Sequence, residues 1–157
     1  KANQFRTLAA YDTTHSAEAM ANALKRFTWP GNAEGRGLTV VRPMFLADLP
    51  DWVKNQPRGP DVAIMADEWK KEHELNLVAA RRELERFRSM LPPCFARGDA
   101  IVAEGRPADQ IIAKARVFET DLVVLGSRDA GRLERLIVGS TSEQVLASGA
   151  CSVLVVR

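Results

Sequence analysis

The 157-residue chain is 46% hydrophobic and 27% charged, which is enough apolar material for one real core and excludes a disordered segment. Its formal net charge is only +2, with acidic and basic residues interspersed, so the basic stripe of a nucleic-acid binder is missing and no nucleic-acid partner is expected. Apolar runs such as Leu122–Leu125 and Val153–Val156 are four residues long, against the roughly 20 a bilayer requires, so no membrane insertion is expected.

The cysteines, Cys94 and Cys151, form neither a disulfide framework nor a zinc ligand set, which points to a reducing, cytoplasmic compartment. The first residue is Lys1 and no leader opens the chain, so a trimmed chain or a piece of a longer protein is expected.

Strand-like and helix-like segments alternate from end to end. Residues 5–12 read as a strand that ends on polar Asp12, Thr13 and Thr14, and a threonine hydroxyl there suits the cap of a following helix. That helix is predicted over 16–27, with Met20, Ala23, Leu24 and Phe27 on one face. Pro30, Gly31, Gly35 and Gly37 mark a loop before a second strand over 38–42, which Pro43 stops. Residues 45–60 show no period and carry Pro50, Pro57 and Pro60, so a long surface excursion is expected within a single domain spanning 1–157.

A long helix is predicted over 62–90, where Trp69, His73, Leu77, Ala80, Leu84, Phe87 and Leu91 recur at three and four residues until Pro92 and Pro93 end it. A third strand over 100–104 turns at Gly105 into a helix that starts on Pro107 and buries Ala108, Ile111, Ile112 and Ala115. Leu122–Leu125 is apolar at every position, as in a central parallel strand covered on both sides. A loop with a short helical turn near Leu133 leads to Ser140-Thr-Ser-Glu143, a capping-box pattern that opens a helix ending before Gly149. Val153–Val156 is the fifth strand. The alternation predicts a parallel five-stranded sheet with helices on both faces, whose ligands bind at the carboxyl ends of the strands.

The segment with chemical potential is 126–140. It leaves a buried strand, carries Gly126, Gly131 and Gly139 with Arg128, Arg132 and Arg135, and ends at a capped helix N-terminus. Glycines admit an anion close to the backbone, and free amides and the helix dipole favour negative charge. The plainer alternative is an ordinary strand-to-helix loop with a well-formed cap.

Gly126-Ser, a short basic loop, Gly139-Ser-Thr-Ser-Glu143, and a final strand Cys151-Ser-Val-Leu-Val-Val-Arg157 together resemble the universal stress protein family. Leu8-Ala-Ala-Tyr-Asp12 is similar to that family's first strand, and Glu104-Gly-Arg-Pro107 to its third-strand exit. The resemblance implies an α/β three-layer sandwich of the adenine nucleotide alpha hydrolase-like kind, with strand order 3-2-1-4-5. It also implies a homodimer through the last strand, Cys151 to Arg157.

One branch of the family binds ATP, with Mg²⁺, through Gly-x-x-Gly, nine residues, and Gly-Ser or Gly-Thr. Gly126, Gly139 and Ser140 match that motif, but Asp129 stands where its second glycine belongs. Carried over, Asp12 and Pro43 would hold the adenine, with Thr13 where the family often has glycine. Gly126 would lie by the ribose, and Ser140 and Thr141 by the phosphates, with Arg128 adding charge nearby. The Asp129 carboxylate would repel the phosphates by up to about 4 kcal/mol at ~4 Å and a dielectric of ~20. The function implied is a dimeric ATP-binding module. The alternatives are an interaction domain indifferent to nucleotide, for which Asp129 speaks, and a slow ATP hydrolase with Asp12, Asp129 and His15 as its available bases.

Other residues read more simply. His15 is expected at an exposed helix start and His73 as a partly buried, hydrogen-bonded histidine. Ser127, Ser140 and Ser142 lack a hydrolase elbow. Arg81, Arg82, Arg86 and Arg88 are expected on a solvated helix face, Trp29 and Trp52 packed locally, and Cys151 as a small buried residue.

Overall fold

The structure, a computed structural model, describes residues 4–12, 14–43, 60–126 and 140–156, without the side chains of residues 14, 15 and 60–66. Strand β1 (Arg6–Tyr11) leads to helix α1 (Thr14–Lys25) and strand β2 (Glu34–Val41). Helix α2 (Pro60–Met90) and a 3₁₀ turn (Pro93–Phe95) precede strand β3 (Ile101–Glu104). Helix α3 (Pro107–Val117), strand β4 (Leu122–Gly126), helix α4 (Ser140–Ala147) and strand β5 (Ser152–Val156) complete the order. The strands form one parallel sheet in the order β3-β2-β1-β4-β5, as the alternation and the family resemblance predict.

Period-two alternation in the central strands builds a core on each face. Ala9, Tyr11 and Val124 point to one side, where Ala17, Met20, Ala21 and Leu24 of α1 and Leu84 and Phe87 of α2 cover them. Leu8, Ala10, Val123 and Leu125 point to the other, under Ala108, Ile111 and Ala115 of α3 and Val145 of α4. Covering both faces of β1 and β4 explains their unbroken apolar runs. Between α3 and β4, Asp121 fastens β4 to its neighbour: Arg6 N–H donates to its Oδ2 at 2.8 Å and its own N–H donates to the Arg6 carbonyl at 2.8 Å.

The structure departs from the sequence reading in how several residues pack. Helix α1 ends at Lys25, so Phe27 lies beyond it and is 49% exposed, and the buried stripe is Ala17, Met20, Ala21 and Leu24. Gly35 and Gly37 are not loop residues; β2 begins at Glu34 and includes both. They serve packing there, because a Cβ on Gly35 would lie 2.5 Å from Phe95 Cγ and one on Gly37 3.2 Å from Leu84 Cδ1. Arg88 is not simply solvated: it is half-buried, donates to the Gly98 carbonyl at 3.2 Å and pairs with Glu85 at 2.9 Å. Cys151 is half-buried, in keeping with its place on an edge strand.

The apolar face of α2 follows the expected spacing, and its helix starts two residues earlier than predicted, at Pro60. Trp29 packs locally as expected, edge-on to Phe95 at 5.6 Å, with its Nε1–H donated to the Leu24 carbonyl at 3.0 Å. Gly105 turns the chain with φ 136° and Gly149 ends α4 with φ 59°, both conformations that favour glycine. Of the excursion expected over 45–60, Pro60 instead opens α2, and residues 45–59, Trp52 among them, lie outside the described residues, as does the turn near Leu133.

Candidate functional site

The sheet order reverses beside β1. From β1 the chain moves outward through β2 to β3, then returns to β4 and β5 on the other side. Helix α1 leaves β1 over one face and α4 follows β4 over the other, so the two strand ends lie between oppositely directed connections, the place where sheets of this kind take their ligands. Ala10 pairs with Leu125 in the β1–β4 register, which sets Tyr11 and Asp12 beside Gly126.

Asp12 is exposed at the exit of β1. Ser16, in the first turn of α1 and only 5% exposed, donates its hydroxyl to Asp12 Oδ1 at 3.3 Å. The same serine closes on β4: a Cβ on Gly126 would lie 2.7 Å from Ser16 Cβ and 3.1 Å from its Oγ. Gly126 is therefore the residue that lets the start of α1 press against the end of β4. Ser16 thus joins Asp12 to Gly126, a role the sequence reading missed. Its four-residue spacing from Asp12 across a strand-to-helix turn was the available signal.

Of the other expected site residues, Pro43 is exposed two residues past β2, the strand that flanks β1 on its other side. Ser140 and Thr141 open α4, whose first amides have no acceptor within the helix, with Ser140 exposed and Thr141 half-buried. Thr13, Arg128, Asp129 and Gly139 lie outside the described residues, as do Ser127 and the side chain of His15. The helix begins at Ser140 itself.

One residue before Asp12, the Tyr11 hydroxyl is buried with no hydrogen-bond partner among the described residues, and its ring packs on Phe87 at 4.4 Å. Burial first, and the Glu83 carboxylate second, push its ionisation far above the ordinary value of 10.0. An unsatisfied buried hydroxyl costs about 1–3 kcal/mol. Tyr11→Phe, which keeps the ring, is therefore expected to stabilise the fold by about 1 kcal/mol in chemical denaturation. Above pH 10 the unfolded chain releases the tyrosine proton while the folded chain keeps it, so wild-type stability falls as pH rises past that point. The variant loses that part of the decline.

His73 meets its expectation: Nε2 lies 2.8 Å from Glu104 Oε2 and the side chain is largely buried. Among the described residues no group of three or more His, Cys, Asp or Glu side chains is placed to hold a metal ion. Burial pushes the thiols of Cys94 and Cys151 up, away from the reactive thiolate. No described helix is long and apolar enough to cross a membrane.

A model of the universal stress protein family matches residues 55–157. A universal stress protein of Thermus aquaticus is 38% identical over 84 residues, which cover 50% of this chain and 61% of that protein. The stress response protein NhaX of Bacillus subtilis is 44% identical over 70 residues, covering 45% of this chain and 42% of that protein. The matches thus span about half the length of these relatives. Among solved structures, the universal stress protein UspA from Lactobacillus plantarum superposes with a TM-score of 0.60 at 22% identity, over 100% of both chains. Two others are complexes: a universal stress protein with cAMP (TM-score 0.52, 16% identity, 99% of this chain and 98% of that one), and one from Archaeoglobus fulgidus with dAMP (0.51, 13%, 98% of both). The family match over 55–157, on a five-stranded sheet of this order, places the chain in the universal stress protein family.

Proposed function

We propose that residues 1–157 form one domain that binds an adenine nucleotide, ATP with Mg²⁺, at the crevice between β1 and β4, and that acts by binding and dimerising. The observation that carries this reading is the meeting of Asp12, Ser16 and Gly126 where the strand order reverses. The cAMP and dAMP complexes of similar fold support it.

The donor set suits such a ligand. Asp12 offers an exposed acceptor to an adenine amino group or a ribose hydroxyl, steadied by Ser16. Thr13 and Pro43 would border the base and Gly126 the ribose. Arg128, Gly139, Ser140 and Thr141 would receive the phosphates at the α4 N-terminus, whose dipole favours them. Mg²⁺ would arrive on the phosphates and offset their charge against Asp129. The dimer would form through Cys151–Arg157. Its support is that β5 is an edge strand with Val153, Leu154, Val155 and Val156 only half-buried. Its cysteines fit a cytoplasmic setting.

Calorimetric titration with ATP and Mg²⁺ tests the site. Asp12→Ala is expected to weaken binding about 10-fold to 100-fold, the worth of a hydrogen bond to a charged group. Asp129→Gly, which restores the motif glycine, is expected to tighten it by about tenfold or more. Equal affinities in wild type and Asp129→Gly would refute the charge argument. No saturable binding by either up to millimolar ATP would refute the nucleotide site, and would favour the interaction domain that Asp129 suggests.

A further inference from the structure

The outer face of α2 carries a pattern that the proposed site and the β5 edge leave unused. Glu68, Glu72, Leu75, Ala79, Arg82 and Arg86 recur at four and three residues, so they form one stripe along about 27 Å of helix. All six are exposed, Leu75 at 68%, and Val78 beside them is 59% exposed. The inward face of the helix is taken by Leu77, Leu84 and Phe87.

The stripe is antisymmetric in charge. Glu68 and Glu72 stand one turn apart, as do Arg82 and Arg86, so each end sets like charges side by side, which is unfavourable within a lone helix. Lys71 is engaged by Asp67 at 2.7 Å and Arg88 by Glu85 at 2.9 Å, whereas Glu72, Arg82 and Arg86 have no ion-pair partner among the described residues. Residues 68 and 86, 72 and 82, and 75 and 79 are each equidistant from position 77.

We infer that this stripe docks against the same stripe of a second copy, with the two α2 helices antiparallel about a two-fold axis at position 77. Glu68 then faces Arg86 of the other copy, Glu72 faces Arg82, and Leu75 packs over Ala79, whose small side chain lets the helices approach. Each like-charged end meets its opposite, which is the self-complementarity that a two-fold interface requires. The seam has the 3-4 spacing of paired helices and places its apolar contact at the axis. It lies on the β2–β3 side of the sheet, away from β5, so it adds a second mode of self-association and does not depend on nucleotide binding or on β5 pairing.

Charge-reversed variants test it by light scattering or sedimentation at low salt and on the order of 100 µM, the range suited to a small interface. R82E/R86E makes the stripe wholly acidic and E68R/E72R makes it wholly basic. All four sites are exposed, and circular dichroism checks that each variant stays folded. Wild type is expected to have at least twice the mass of either variant alone, whatever mass β5 pairing confers on all three. Mixing the two variants in equal amounts restores the higher mass, and about 0.5 M salt removes it. The fourfold exchange E68R/E72R/R82E/R86E, which inverts the polarity but keeps the complementarity, associates like wild type. The inference is overturned if wild type and both variants share one mass, if mixing leaves the variants separate, or if the fourfold exchange stays dissociated.

Discussion

Gly35→Ala is expected to cost about 3 kcal/mol of stability and to lower the melting temperature by roughly 10 °C, although it adds one methyl group to a strand. The methyl carbon would lie 2.5 Å from Cγ of Phe95, inside van der Waals contact with the whole edge of the ring. Phe95 is fully buried and has little room to yield. Trp29 stands edge-on to it at 5.6 Å, and Trp29 is itself held by its hydrogen bond to the Leu24 carbonyl. On the chain side, Pro92 and Pro93 fix the entry to the 3₁₀ turn that carries the ring. The backbone cannot retreat either. Gly98 packs so closely that its own Cβ would strike the Gly35 carbonyl, and would lie 2.7 Å from Arg36 Cγ.

The ring and the missing side chain are therefore one device, and a double-mutant cycle separates this account from a loss of glycine's flexibility. Phe95→Ala alone is expected to cost about 3–5 kcal/mol through the cavity it leaves. Gly35→Ala/Phe95→Ala is expected to fall short of the sum of the single costs by at least about 1 kcal/mol, because the methyl group no longer meets a ring. Additive costs in denaturant titrations would show that the two residues do not constrain each other.

The order of elements was legible because period is a property of the chain alone. The apolar positions Trp69, Leu77, Ala80, Leu84 and Phe87 of α2 and the unbroken Leu122–Leu125 run announce a helix face and a central strand before any contact is known. Gly35 and Gly37 misled for the converse reason. Glycine marks a turn by its local freedom, but here it marks the approach of Phe95 and Leu84, which come from 60 and 47 residues further along the chain. Phe27 misled because helical spacing does not say where the helix stops, and the chain turns at Lys25.

The candidate site divides in the same way. Asp12 and Gly126 were legible as strand exits. Ser16 was not, because its place rests on the pairing of β1 with β4, two strands more than a hundred residues apart. Tyr11 reads as an ordinary strand residue in sequence, and only the packing of the fold shows that its ring meets Phe87 and its hydroxyl is buried.

The second large effect concerns that serine. Gly126→Ala is expected to cost about 1–3 kcal/mol and, on the proposed function, to weaken adenine nucleotide binding by at least about tenfold. Its new methyl carbon would sit 2.7 Å from Ser16 Cβ and 3.5 Å from Met20 Cε. Met20 can bend, but Ser16 is in the first turn of α1 and 5% exposed, so relief comes by lifting the start of that helix. Lifting it moves the hydroxyl that holds Asp12 and opens the crevice. Ser16→Gly in the same chain removes the opposing Cβ, so Ser16→Gly/Gly126→Ala is expected to regain most of the stability that the clash cost. Binding should stay weak in that variant, because Asp12 has lost the Ser16 hydroxyl that steadies it. A protein that recovers its melting temperature but not its affinity ties the ligand to the Asp12–Ser16 contact. If instead Gly126→Ala melts early yet binds ATP with wild-type affinity, then the close packing of β4 against α1 is purely structural and the nucleotide, if bound, lies elsewhere.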